Sequence, residues 1–203
     1  MIACLDLEGV LLPEIWIKFA EKTGVEDLKL TTRDIPDYDE LMTKRLNILK
    51  ENNFKLTDIK EVISKLEPLD GAIEFHKWLR SEFEVIILSD TFYQFVSPLM
   101  QKLDYPTLFC HQLVIDTNDS IIGYKLRQPN GKQEAVKALQ NLNFKVVAAG
   151  DSYNDIGMLK QANEGILFDP PKNVISDYPQ FSVSMCYADF QKKLEACKIK
   201  FVG

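Results

Sequence analysis

The chain has little of what builds thiolate metal centres or disulfide frameworks: four cysteines and two histidines in 203 residues. Cys4, Cys110, Cys186 and Cys197 are scattered without a CxxC pair, and His76 and His111 do not complete a zinc pattern. Thiols of this kind suit a reducing compartment, so the expectation is a cytoplasmic protein. Positive charge is also in short supply, with 24 basic against 30 acidic residues and a net charge of -6. That argues against nucleic acid, whose binding rests on lysines and arginines paired with phosphates. Long apolar runs are missing as well. The opening MIACLDLEG has no basic stretch before its apolar residues, and Asp6 and Glu8 interrupt them, so neither a signal peptide nor a membrane span is expected. No repeat or low-complexity segment is present.

What is present is an ordinary globular balance, 46% hydrophobic and 27% charged. The length suits one compact domain, or one domain carrying a small insertion. Short apolar runs recur at 2–5, 85–88, 146–149 and 165–168, and each gives way to polar residues: Asp6, Ser89, Gly150-Asp151 and Asp169. Runs of this length, rich in valine and isoleucine, predict strands buried on both faces. Amphipathic helical patterns lie between them at 72–80, with Ile73 counted on one face with Phe75 and Trp78, and at 92–103 and 132–142. The alternation predicts an α/β fold, a parallel sheet with helices on both faces, whose ligands sit at the carboxyl ends of the strands.

Two segments break the alternation. Residues 13–68 look helical, at 14–23, 38–51 and 57–66, with a loop expected at 31–36. Residues 113–115 and 121–126, around the polar stretch 116–120, predict a β-hairpin. The expected organisation is therefore a core of residues 1–12 and 68–203, with a helical cap of residues 13–67 inserted after the first strand.

The chemistry-bearing residues collect at strand ends. Asp6 is a usable nucleophile toward phosphorus, and Glu8 can protonate a leaving alkoxide and then activate water. A strand ending in acidic residues before Gly9 also reads as a solvated turn. Asp151, in Gly150-Asp151-Ser152-Tyr153-Asn154-Asp155, can join Asp6 on a hard cation, with Asp155 one turn further along. Asp151, Ser152 and Asn154 are equally good helix caps, although capping explains one polar residue better than it explains the whole motif. Ser89-Asp90-Thr91 offers a hydroxyl and backbone N–H groups to phosphate, or an ordinary cap. Lys132 lies at a helix start, where the macrodipole disfavours it unless it neutralises phosphate; a solvated lysine is the plainer alternative. Together these parts make up a phosphoryl-transfer site, which works chiefly by positioning and charge neutralisation.

The constellation resembles the haloacid dehalogenase-like (HAD) superfamily, in its phosphoserine phosphatase branch. Asp6-Leu7-Glu8-Gly9-Val10 stands for the first motif, Ser89 for the second, Lys132 for the third and Gly150 to Asp155 for the fourth. Glu8 departs from the usual aspartate. It resembles the subgroup that also transfers phosphate from phosphoserine to homoserine, a likeness that extends to CLDLEGVLLPEIWI, FAEKTG, TTRDIPDYDELM, LSDTFY, AAGDSYND and GILF. The resemblance implies an aspartyl-phosphate on Asp6 and Glu8 as general acid/base. Mg²⁺ would sit on Asp6, the Glu8 carbonyl and Asp151, with Asp155 in support. Ser89 and Lys132 would bind the transferred phosphoryl group, Asn154 would contact phosphate or substrate, and Asp90 and Thr91 would join the substrate-binding set. In the cap, Glu14 would meet the substrate ammonium and Arg45 its carboxylate, since a guanidinium can bond bidentately. For these two, a helix first turn and a solvated helix face are the plain alternatives. The implied partners are O-phosphoserine and homoserine, in a monomer or homodimer.

Two competing functions stay open at this level. One is hydrolysis of another small phosphomonoester. The other is a non-catalytic phospho-receiver or Mg²⁺-binding module, against which the helical insertion argues.

Overall fold

The computed structural model describes residues 1–32, 34–35 and 37–202. The loop expected at 31–36 includes Arg33 and Pro36, which lie outside the described residues. The first strand, β1 (Ile2–Leu5), is buried throughout. Its alternate side chains feed two cores. Ala3 and Leu5 join one hydrophobic cluster, and Ile2 and Cys4 join the other. A strand buried on both faces is what a continuous apolar run implies.

After β1 come α1 (Ile15–Thr23), a 3-10 turn (Glu26–Lys29), α2 (Tyr38–Glu51) and α3 (Leu56–Ser64). Asp37 caps α2 by accepting the Glu40 N–H at 2.9 Å. Then α4 (Ala72–Glu82), β2 (Glu84–Phe92), α5 (Tyr93–Lys102) and β3 (Thr107–Ile115) lead into β4 (Ile121–Lys125). The rest alternates as α6 (Gly131–Asn141), β5 (Val146–Gly150), α7 (Ile156–Gln161), β6 (Glu164–Phe168), α8 (Lys172–Asp177), β7 (Ser182–Ser184) and α9 (Tyr187–Val202).

The seven strands form one sheet in the order β4-β3-β2-β1-β5-β6-β7. Every neighbouring pair is parallel except β3 and β4. Side chains of α4, α5 and α9, among them Phe75, Phe95 and Phe190, pack in the cluster of Ala3 and Leu5; those of α6, α7 and α8, among them Val136, Met158 and Val174, pack in the cluster of Ile2 and Cys4. The expected parallel sheet with helices on both faces is therefore the fold. The chain leaves β1 toward β2, then returns to the other side of β1 at β5. That reversal makes the carboxyl ends of β1 and β5 the topological switch point, where such sheets hold ligands.

Three expectations need correction. β2 does not stop before Ser89 but continues to Phe92. Its pairing with β3 shifts between Leu88 and Phe92, so Ser89, Asp90 and Thr91 stand opposite Cys110 alone. They form a bulge, which re-aims side chains, rather than a helix cap. The hairpin's first strand begins at Thr107, not at residue 113, because Leu108 and Phe109 pair with β2 before the chain turns. Ile73, counted on the apolar face of α4, is exposed, and Ala72, Phe75, His76 and Leu79 face inward instead. The hairpin turn itself is as expected. Asp116 accepts the N–H groups of Asn118 and Ser120 at 2.9 and 2.8 Å.

No helix among the described residues is long and apolar enough to cross a membrane. The four cysteines form no disulfide.

Candidate active site

Asp6 follows β1 directly, and its N–H donates to the Ala149 carbonyl at 2.9 Å, extending the β1–β5 ladder by one residue. Asp151 follows β5. Parallel neighbours end side by side, so two residues 145 positions apart in sequence meet at one sheet edge. Oxygens of Asp6, Asp151 and Asp155 lie within 4.8 Å of one another, and all three residues are buried.

Glycine permits this closeness. Gly150 lies so near Asp155 that a Cβ there would come within 2.2 Å of the Asp155 Cγ. The Asp155 carboxylate is tied on both sides. Oδ2 accepts the N–H groups of Asp151 at 3.0 Å and Ser152 at 3.1 Å, and Oδ1 accepts from the Lys132 ammonium at 2.8 Å. The capping alternative is thus true of Ser152 and Asp155, which form a reciprocal capping box.

Lys132 is the second residue of α6 and is buried. Its Nζ lies 2.8 Å from Asp155, 3.0 Å from Asp6 and 3.6 Å from Asp90. It is not a solvated lysine. Burial opposes its charge, but Asp155, Asp6 and Asp90 outweigh that and hold it protonated. Asp6 is raised as well: burial, then the charges of Asp155 and Asp151, push its carboxyl well above the usual range against the pull of Lys132. Both shifts have one source, an excess of buried negative charge over a single ammonium. An oxygen-only donor set with that excess fits a hard divalent cation.

The bulge on β2 supplies the next wall. Asp90 accepts from the Asn154 amide at 2.9 Å, and its backbone carbonyl accepts from the Tyr38 hydroxyl at 3.0 Å. Burial disfavours its charge, yet Lys132, His111 and Asn154 hold its carboxyl far below the ordinary value. The Thr91 N–H donates to the Ser89 hydroxyl at 3.3 Å.

Glu8 turns toward the helices. Its Oε2 accepts the Ile15 N–H at 2.9 Å, so it serves the start of α1, where Glu14 makes no capping bond from its side chain. Burial raises the Glu8 carboxyl, opposed by Ile15, Thr91, Arg45 and Lys132. Arg45 is buried, not on a solvated helix face. Its guanidinium lies over the Trp16 ring at 4.6 Å, and Nη2 donates to the Leu30 carbonyl at 2.8 Å. Its Nε is buried with no hydrogen-bond partner among the described residues. Burial lowers the guanidinium to about 10, with Tyr38, Glu8 and Glu14 favouring its charge.

A small cavity of about 90 Å³ joins these pieces. Asp6, Glu8, Ser89 and Thr91 line it together with Glu14 and Arg45. The structure therefore gathers every site residue expected from sequence: Asp6, Glu8, Glu14, Arg45, Ser89, Asp90, Thr91 and Asn154 line this cavity, and Lys132, Asp151 and Asp155 adjoin Asp6. Sequence reasoning missed Trp16, Tyr38 and His111. Trp16 offered a signal, an aromatic residue two positions after Glu14. His111 offered only a polar residue beside Gln112 within the otherwise apolar middle of β3.

The model of one protein family, haloacid dehalogenase-like hydrolase, matches residues 2–163. Phosphoserine phosphatase ThrH of Pseudomonas aeruginosa is 59% identical over 192 residues, 95% of this chain and 94% of that protein. A phosphoserine phosphatase of Pseudomonas syringae pv. tomato is 57% identical over 95% of this chain and 81% of its own. In structure, a phospho-aspartyl intermediate analogue of phosphoserine phosphatase superposes with a TM-score of 0.76. It is 20% identical and covers 95% of this chain and 97% of that one, a likeness of fold.

Proposed function

This chain belongs to the haloacid dehalogenase-like hydrolase family, and on that premise we propose that it is a Mg²⁺-dependent phosphoserine phosphatase using Asp6 as nucleophile. The observation that carries the reading is one cavity lined by two unlike sets of residues. Asp6, Ser89 and the buried acidic cluster face a phosphate; Arg45, its Nε without a partner among the described residues, and Glu14 face an amino-acid head group. A guanidinium with an unmet buried donor suits a carboxylate.

Asp6 and Asp151, with the Glu8 carbonyl, would hold Mg²⁺. Both oxygens of Asp155 are committed to Lys132 and backbone amides, so it acts as a support that orients the ligands. The bound ion would neutralise phosphate charge. Leu7 N–H and Lys132 both bind Asp6 Oδ1, leaving Oδ2 to form the bond to phosphorus. As that bond forms, the ester P–O bond breaks, and Glu8 gives its proton to the departing serine oxygen. The raised carboxyl of Glu8 suits an acid that starts protonated. Glu8 then takes a proton from water as that water attacks the phospho-Asp6, releasing inorganic phosphate. Ser89 and Lys132 hold the phosphoryl oxygens throughout.

Residues 13–67 act as a cap over a core of residues 1–12 and 68–203. Two contacts support a fixed edge between them. Asp119, at the hairpin turn, accepts the Thr57 N–H and hydroxyl at 2.8 and 2.6 Å, and the Tyr124 hydroxyl bonds Asp39. The setting is cytoplasmic, in keeping with four unbridged cysteines.

A second activity, transfer of the phosphoryl group to homoserine, is favoured by one observation. The Ile15 N–H holds Glu8 Oε2, which restrains the carboxylate and slows its activation of water. A longer-lived phospho-Asp6 is open to another hydroxyl. The test is incubation with phosphoserine, Mg²⁺ and homoserine, for the native chain and Asp6→Asn. Free phosphate from the native chain alone supports the hydrolase, and phosphohomoserine adds the transferase. Turnover of sugar phosphates in preference to phosphoserine would overturn the substrate assignment.

A further inference from the structure

Lys132 has three ammonium hydrogens to give. Asp155 and Asp6 take two, at 2.8 and 3.0 Å. Under the reading above, the third belongs to a phosphate oxygen. Asp90 is a rival for it. Its Oδ2 stands 3.6 Å from Nζ, short of the roughly 2.8 Å at which an ammonium and a carboxylate settle when nothing restrains them.

We propose that His111 is a positioning residue of the phosphoryl site, holding the Asp90 carboxylate back from Lys132 so that the ammonium keeps a donor for phosphate. The proposal rests on the phosphoryl-transfer reading but not on which ester is the substrate.

The geometry around His111 leaves its ring little choice. The Arg127 N–H donates to Nδ1 at 3.1 Å, so Nδ1 is the acceptor and the ring hydrogen lies on Nε2. Nε2 points at Asp90 Oδ1, 3.4 Å away. The ring is buried between those of Tyr38 and Phe92, each with its centroid at 6.4 Å. Asp90 is thus held by His111 on Oδ1 and by the Asn154 amide on Oδ2, while Tyr38 holds its backbone carbonyl. Those restraints explain why a half-buried carboxylate beside a buried ammonium stops short of it.

Without the His111 donor, Oδ1 of this partly exposed side chain loses its protein partner and the restraint that goes with it. The nearest strong donor is Lys132. Asp90 would close on it, and the third hydrogen would be consumed. The fold makes this arrangement available because the β2 bulge sets Asp90 and its neighbours against Cys110, one residue before His111 on β3.

The test is binding of inorganic phosphate to the whole chain in Mg²⁺, by calorimetry, with kcat and KM for p-nitrophenyl phosphate read alongside. His111→Leu should weaken phosphate binding roughly tenfold or more, as losing a hydrogen bond to a charged group does, and raise KM in parallel. Adding Asp90→Asn to that variant should return binding to within about threefold of Asp90→Asn alone, because the rival charge is gone. A merely structural histidine would lower Tm in both variants and show no such rescue. Should His111→Leu fold poorly, two amides replace it. His111→Gln sets a donor near the Nε2 position and should bind phosphate as the native chain does, whereas His111→Asn reaches only the Nδ1 position and should behave as the leucine variant would. Native phosphate affinity in His111→Leu or His111→Asn, or no recovery with Asp90→Asn, overturns the proposal. Phosphate binding is measured without any ester, so a chain that ignores phosphoserine loses that substrate assignment and leaves this result intact.

Discussion

Gly9 passes so close to Asp151 that a Cβ at residue 9 would lie 2.5 Å from the Asp151 Cγ. The same residue has a φ of +79°, in the left-handed region that favours glycine. One position therefore combines a backbone need and a spatial need, and both serve the acidic cluster.

Gly9→Ala should strain the turn and push Asp151 away from Asp6. The backbone strain alone is worth about 1–3 kcal/mol. The larger effect should fall on the metal. The Mg²⁺ concentration giving half-maximal phosphatase activity should rise by roughly tenfold or more, as disturbing a metal site's support does. A Mg²⁺ titration of activity beside a thermal melt separates the two effects. An unchanged Mg²⁺ requirement would count against Asp151 as a ligand.

Arg45→Ala should raise KM for phosphoserine by roughly a hundredfold, the scale of removing one partner of a buried charged pair. It should leave p-nitrophenyl phosphate, which has no carboxylate, far less affected. Arg45→Lys should not restore phosphoserine binding, because an ammonium lacks the planar fork and the stacking over Trp16. Parallel steady-state kinetics on the two esters decide the matter; equal losses on both would remove Arg45 from head-group recognition.

His76 predicts an acid sensitivity away from the site. Its ring is one of the buried side chains of α4, and burial, then the Arg80 charge, lower it from 6.5 to about 4, with Asp104 opposing. Between those values the unfolded chain takes up a proton that the folded chain refuses, so stability falls as pH drops from 6.5 toward 4. Above 6.5 the contribution is fully present. His76→Met should narrow the difference in Tm between pH 7 and pH 5, and an undiminished difference would sink this assignment.

The cysteines should differ sharply in reactivity. Burial pushes the Cys4 and Cys110 thiols up to about 12 and raises Cys197, whereas Cys186 is exposed. A thiol must ionise to react. Ellman's reagent should therefore titrate one thiol quickly in the native chain and four in denaturant. Cys186→Ser should abolish the fast phase; a fast phase that persists would mean that a buried thiol opens to solvent.

The linear chain made the chemistry legible wherever a contrast was local. An apolar run ending in Asp6, and another ending in Gly150-Asp151, mark strand ends because strands buried on both faces tolerate no carboxylate within them. The helices at 72–80 and 132–142 followed from their 3.6-residue pattern and differ from α4 and α6 only at the ends. The short β7 and the helices α8 and α9 escaped notice. β7 is three residues long and pairs only with β6, so its existence depends on a neighbour rather than on its own pattern.

The residue types and their order thus determined which strands form and that carboxylates, a hydroxyl and a lysine stand at their ends. The tertiary structure decided how those groups face one another. The bulge at Ser89 to Thr91 exists only because β2 runs two residues ahead of β3 between Leu88 and Phe92, and register belongs to the pair of strands. Arg45 over Trp16, Tyr38 on the Asp90 carbonyl and His111 beside Asp90 join residues from 21 to 52 positions apart. No local periodicity carries such contacts, because they arise only when separate elements are packed on one sheet edge.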